Sequence, residues 1–280
     1  MITRFVASPR LAVRLTAAGL AIACCLAAAA PALAQTDTAK ALDVSEHETR
    51  SRAGRVDNWL TYQDNFGTSG QWNERIKVFF PVQTRRGWKF TQRFDLQYVV
   101  TNKTGPADPG GVWQGHIGDA TIEEIFDAPR LRDDFRPWTS IRFVAPTGGP
   151  APFGSDQWQV ALALGTSRRS GHLLAGLAMS PYARYSWGFS PQDSGVTLVH
   201  KLNLFPTAGY TIVDRVSLTL YPEQGILYNA DTGKWFVPVE AMLMYRGKNR
   251  GQLGIGGAYG LVTDYKVYQW LIEARGAVDF

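Results

Sequence analysis

Ten charged side chains lie on the polar sides of segments that alternate with a two-residue period. They are Lys89, Arg93, Arg142, Lys201 and Arg275 against Asp95, Asp119, Glu123, Glu240 and Glu273. Gathered on one face of a set of strands, they could brace one another as ion pairs or line a narrow polar passage. Both signs are equally present, which argues against a strongly anion- or cation-selective path. The other chemistry open to the chain is acyl hydrolysis by serine and histidine. The four histidines read HET, HIG, HLL and HKL from His47, His116, His172 and His200, so none has a serine two residues on. A pair could still meet across neighbouring strands, about 5 Å apart, with Ser170 or Ser180 as nucleophile, but spacing assigns no catalytic residue. Cysteine occurs only as Cys24 and Cys25, which leaves no thiolate metal site, and no metal or cofactor is assigned.

The segment WKFTQRFDLQYVVT, residues 88–101, shows what must carry these side chains. Trp88, Phe90, Phe94, Leu96, Tyr98 and Val100 share one face, while Lys89, Thr91, Arg93, Asp95, Gln97 and Thr101 share the other. Strands of soluble proteins usually run to about 5–6 residues, whereas a tilted membrane strand needs about 9–11. Segments of this kind predict twelve strands, at 57–65, 74–83, 88–101, 115–127, 137–146, 156–167, 172–187, 194–205, 207–221, 234–246, 251–262 and 266–280. The gaps alternate. QTRRGW, TSRRSG, FPTAG and GKNRG are short; GTSGQWN, TNKTGPADPGGVW, PTGGPAPFGSD, WGFSPQDS and PEQGILYNADTGK are longer. DAPRLRDDFR and VTDYK break that rule. Pro81 and Pro238 predict local breaks or bulges, because proline removes a ladder donor.

Trp88, Tyr98, Trp138, Trp158, Trp235, Tyr245, Trp270 and Phe280 are expected on the apolar face near strand ends, as aromatic girdles. The competing reading makes them core aromatics of a soluble sandwich. The expected fold is all-β: a closed antiparallel transmembrane barrel of about twelve strands, with short periplasmic turns and longer external loops. Closure is required, because an open sheet in lipid leaves backbone groups unpaired.

Residues 1–34 carry Arg4, Arg10 and Arg14, then the apolar run LTAAGLAIACCLAAAA and Ala32-Leu33-Ala34. This order predicts a signal peptide cleaved near Ala34 and an outer-membrane destination for the mature chain. Cys24 is a poor lipidation site, because Ala21 stands where leucine is favoured. Residues 35–55 read as a flexible periplasmic leader and 56–280 as the barrel. Without the three arginines of the signal, 26 of the 29 basic residues face 24 acidic ones, a net charge of about +2. No basic cluster suggests nucleic acid.

The closing stretch YKVYQWLIEARGAVDF places Tyr268, Trp270 and Phe280 on one side of the alternation. A terminal aromatic on such a strand resembles the signal read by the barrel-assembly machinery, making that machinery, outer-membrane lipid and a small-molecule solute the expected partners. The segment HIGDATIEEIFDAP, followed by WTSIRFVAPTGGPAPFGSDQWQVALALG, resembles the outer-membrane barrel family named for the meta-pathway of phenol degradation. The likeness rests on Gly118-Asp119, Pro146-Thr147-Gly148, Gly154 and Trp158. It implies a channel- or transporter-like barrel for small, hydrophobic or aromatic compounds. A lipid hydrolase of the barrel wall and a structural or binding barrel are the alternatives.

Overall fold

A computed structural model describes residues 54–83, 88–103, 111–131, 135–148, 152–170, 176–193, 196–247 and 250–280. The signal and residues 35–53 of the expected leader lie outside them, as do His47 and His172, whereas Arg55 belongs to the barrel as the first residue of β1. Among the described residues, sixteen strands form one antiparallel sheet: β1 Arg55–Asn65, β2 Ser69–Gln83, β3 Lys89–Thr101, β4 Gln114–Ile117, β5 Ala120–Asp127, β6 Phe135–Ala145, β7 Gln157–Ser170, β8 Leu177–Met179, β9 Tyr182–Pro191, β10 His200–Phe205, β11 Ala208–Val213, β12 Val216–Leu220, β13 Ile226–Asn229, β14 Lys234–Arg246, β15 Gly251–Thr263 and β16 Trp270–Asp279. Four neighbouring pairs, β4/β5, β8/β9, β10/β11 and β12/β13, are halves of single wall strands, since the two members of each pair share a flanking strand or pair the two halves of one. Sixteen segments therefore make twelve staves. β1 pairs β16 from Arg55↔Asp279 to Asp64↔Trp270 and closes the barrel. The end where β1 begins and β16 finishes is called the base, and the opposite end the rim.

The apolar residues of the alternation face outward all round. Leu96, Leu164, Ile255 and Leu261 are each 60% exposed or more. In water every such side chain would forgo about 1.5–3 kcal/mol of burial, and a continuous apolar belt of this size marks a surface made for another apolar phase. Trp88, Trp158, Trp235, Tyr245, Trp270 and Phe280 are exposed on that surface and Tyr98 is half-buried. Trp138 is a correction. It shares the parity of Ser140 and Arg142, points inward and packs with Ile125, Ala163, Tyr182 and Phe205.

The staves after β7 correct the expected boundaries. FPTAG is not a turn: Pro206 and Thr207 interrupt one stave that continues as β11, and the turn comes at Asp214 and Arg215, between β11 and β12. The stretch PEQGILYNADTGK is not one loop, because it holds the second half of the next stave, β13. At the first rim connection only residues 66–68 separate β1 from β2, so Gln71, Trp72 and Asn73 extend the strand. Pro238 does sit at a register shift, between Val237↔Val262 and Pro238↔Gly260. Pro81 does not: it lies beyond Phe79, the last β2 residue paired to β1, and keeps unshifted register with Thr91 of β3.

The interruptions form a line. Pro181, Pro206, Pro222 and Pro238 occupy four successive staves, and side bonds stitch the gaps that they leave in the ladder. The Ser180 amide donates to the Thr207 carbonyl (2.9 Å), and the Tyr221 amide donates to the Glu240 carbonyl (3.3 Å). The Thr207 hydroxyl donates to the Tyr221 carbonyl (2.8 Å), and the Tyr221 hydroxyl to the Pro238 carbonyl (3.0 Å).

Candidate functional site: a charged barrel interior

The inward faces build the interior in tiers. Toward the base, Asp57 holds two guanidinium groups: Arg275 at 2.7 Å and Arg55, which also reaches Gln252 at 3.2 Å. Trp59 lies above them, with Arg275 4.9 Å and Lys77 4.7 Å from its ring centre, and Met242 and Met244 pack against it. On the facing wall, Tyr182 and Phe205 stack at 4.1 Å and 9°, with Arg184 over both rings. These side chains are buried, so the base half is filled.

Two carboxylate clusters occupy the middle. Glu123, fully buried, accepts from Ser140 Oγ at 2.7 Å, from Arg142 at 2.6 Å and from Arg184 at 3.2 Å. Arg93 lies 3.3 Å from it and donates to Asp95 at 2.6 Å. Their register explains the meeting, because Arg93, Glu123 and Arg142 are successive cross-strand partners on β3, β5 and β6. The second cluster centres on Glu223, in the interruption between β12 and β13. Its Oε1 accepts from Arg75 at 2.7 Å and its Oε2 from Lys77 at 2.6 Å. Glu240 accepts the backbone amides of Glu223 (3.2 Å) and Gln224 (2.7 Å), and the buried Glu273 adjoins it.

Above these clusters the interior loosens. Gln71, Asn73, Arg75 and Gln97 are all half-exposed. They are joined by bonds from Gln71 to Asn73 (2.9 Å), Gln97 to Asn73 (3.1 Å) and Arg75 to Gln97 (3.4 Å). A polar track thus descends from the rim and ends on Arg75, Glu223 and Lys77.

The ten expected lumen residues divide by position. Arg93, Asp95, Glu123, Arg142, Glu240, Glu273 and Arg275 lie in the clusters just described. Lys89 stands at the base end of β3, register neighbour of Asp127. Lys201 sits on β10 with its ammonium 5.4 Å from the Tyr265 ring. Asp119 lies in the gap between β4 and β5 and ties the rim loop 146–156, accepting from the Gly148 amide (3.1 Å), the Ser155 amide (2.8 Å) and the Ser155 hydroxyl (2.6 Å). Tyr268 is a further correction to the outward face: it precedes β16, turns inward and packs edge-on against Phe236 at 4.8 Å. Burial, then the Glu240 and Glu273 carboxylates, push its phenol above the usual range. Trp270 stays outside, against Tyr62 at 5.6 Å. Phe280 stands at the seam, its amide donating to the Gly54 carbonyl at 2.8 Å.

Arg55, Asp57, Arg75, Lys77, Arg184 and Glu223 belong to these clusters and are not among the ten expected residues. Arg75 is legible as a partner of Lys77 on the same face of β2. Glu223 lies in a stretch whose Pro and Gly have the composition of a loop. The described histidines do not meet serine. His116 Nδ1 lies 2.8 Å from the Ile117 carbonyl and His200 Nδ1 2.6 Å from Asp231, both at the rim. Ser180 is fully buried toward the base, and the side chain of Ser170 lies outside the described residues.

No family model and no curated protein matches the chain. Among solved structures, it is similar to an outer-membrane channel from Pseudomonas putida F1, with a TM-score of 0.67 and 14% identity, over 89% of this chain and 100% of that one. The NanC porin is a looser likeness, at 0.49 and 14% over 80% of this chain and 98% of its own. So is outer membrane phospholipase A from Escherichia coli, at 0.47 and 11% over 84% and 95%. At these identities the likeness to the channel is one of fold.

Proposed function

We propose that the chain is an outer-membrane barrel of the channel type, passing small solutes along its interior, with the rim outside the cell and the base in the periplasm. The observation that carries this reading is a polar, partly exposed track descending inside an apolar-walled closed barrel. A soluble sandwich would bury its apolar faces and expose its charges; here the arrangement is inverted. The resemblance to the phenol meta-pathway family supports hydrophobic or aromatic solutes. Outer-membrane lipid and the barrel-assembly machinery are the other partners on this reading. The buried ion pairs make the passage narrow, so single-channel steps will be small.

The test is planar-bilayer conductance of the folded protein beside an Arg93→Ala/Glu273→Ala variant. Discrete steps whose size changes in the variant are expected. A folded barrel that gives no steps in either form would count against transport by an aqueous route and favour a structural or wall-bound role.

A further inference from the structure

We infer that Glu223 is a resident ligand in an anion site formed by Lys77 and Arg75, and that a small monocarboxylate solute takes its place. The inference rests on the channel reading and names the solute chemistry that the track selects.

The geometry is that of a bound carboxylate. Each oxygen of Glu223 meets its own cation, Arg75 at 2.7 Å and Lys77 at 2.6 Å, the two-oxygen engagement that gives charge-assisted recognition its specificity. The carboxylate does not come from a strand. It is carried on residues 221–225, an interruption between two halves of one stave that contains Pro222 and is held at Tyr221 by the bonds to Glu240, Thr207 and Pro238 described above. The described contacts of its inner part are polar: the Glu223 carboxylate to the two cations, and the Glu223 and Gln224 amides to Glu240. Rotation of the Glu223 side chain alone withdraws its carboxylate from the two cations without breaking a strand pair.

The valence of the replacement follows from the group that it replaces. Glu223 is one carboxylate shared between two cations, and the solute that replaces it must supply what it supplied to Arg75 and Lys77. Withdrawing Glu223 takes one negative charge from two cations, a buried loss that an anion of one charge restores. Access is from the rim. Arg75, whose side chain is 33% exposed, stands at the foot of the polar track, while the Lys77 side chain beneath it is fully buried.

The experiment compares thermal melting of wild type, Glu223→Gln and Glu223→Gln/Lys77→Met barrels in detergent, with acetate or chloride at equal ionic strength. Acetate is expected to raise the melting temperature of Glu223→Gln above its value in chloride. The same shift in wild type should need at least ten times more acetate, and it should vanish in the double variant. Glu223→Asp, which keeps the charge but withdraws it by one methylene, should respond between wild type and Glu223→Gln, and it serves if Glu223→Gln folds poorly. No acetate-specific shift in any Glu223 variant overturns the inference, and so does a shift that survives Lys77→Met. Bilayer recordings on the same variants separate the two readings. An acetate shift in barrels that never conduct upholds the binding site and removes the channel; conducting barrels without an acetate shift do the reverse.

Discussion

Glu123→Gln tests whether the buried charges hold the barrel together. The substitution keeps the shape of the side chain but removes the negative charge that Arg93, Arg142 and Arg184 all contact. Glu123 is fully buried and takes contacts from all three guanidiniums between 2.6 and 3.3 Å. Breaking a buried pair by removing one partner costs about 3–5 kcal/mol, most of it from the charge left behind. At about 2–4 °C per kcal/mol for a domain of this size, the melting temperature should fall by about 6–20 °C. The assay is the temperature at which the compact, fast-migrating form disappears on a gel. Adding Arg184→Met removes one stranded cation and should recover about half of the loss, a coupling that a purely steric effect would not show. A fall of less than about 2 °C for Glu123→Gln, or no recovery in the double variant, would refute the argument that charge compensation organises this interior.

Further expectations are local. Gly165→Ala would put a Cβ 2.3 Å from Trp138 Cζ2 and 2.6 Å from Tyr182 Cβ, and should destabilise by about 1–3 kcal/mol through overpacking, read from the same gel melt. Phe280→Ala removes the ring that lies over Gly54 at the seam, where an added Cβ would come within 2.4 Å of it. It should lower the folded fraction recovered in membranes, and unchanged recovery would count against a role in closure or assembly. Asp156 joins two rim loops, its carbonyl accepting the Gln192 amide at 2.9 Å. Burial and the neighbouring Asp193 carboxylate, with Asp119 beyond, hold its carboxyl above the usual range. An acid raised in the folded state destabilises while ionised and regains stability as pH falls through the folded value. Protection of the Gln192 amide from hydrogen exchange should therefore rise between pH 7 and about pH 4, and Asp156→Asn, which tolerates the positive φ of 54°, should remove the pH dependence. A flat wild-type profile would sink that account.

Strand count and closure are legible because an apolar face meeting lipid and a polar face meeting the lumen give a sharp two-residue period, as in residues 88–101. The period fails where the lumen side resembles loop composition. Gln71 and Asn73 are polar because they line the upper interior, and composition alone cannot tell them from a connection. Pro206, Pro222 and Gly225 carry the signals of turns, yet they lie within staves whose neighbours supply the missing hydrogen bonds. Residue type puts Trp138 in a girdle against the parity that it shares with Arg142, and the parity holds. Charged positions can be found from alternation alone. Their grouping cannot, because Lys77 and Glu223 are 146 residues apart and meet only once the stave carrying Glu223 is broken.

That break places Glu223 in the wall. Residues 221–225 belong to the wall itself, between β12 and β13, rather than to a rim loop or a leader segment. The connections above can be trimmed, exchanged or lengthened without touching the segment that carries Glu223. Variation at the rim and the arrangement of the interior are thereby uncoupled: the connections can change in sequence and length while the Arg75, Glu223 and Lys77 contacts stay as they are.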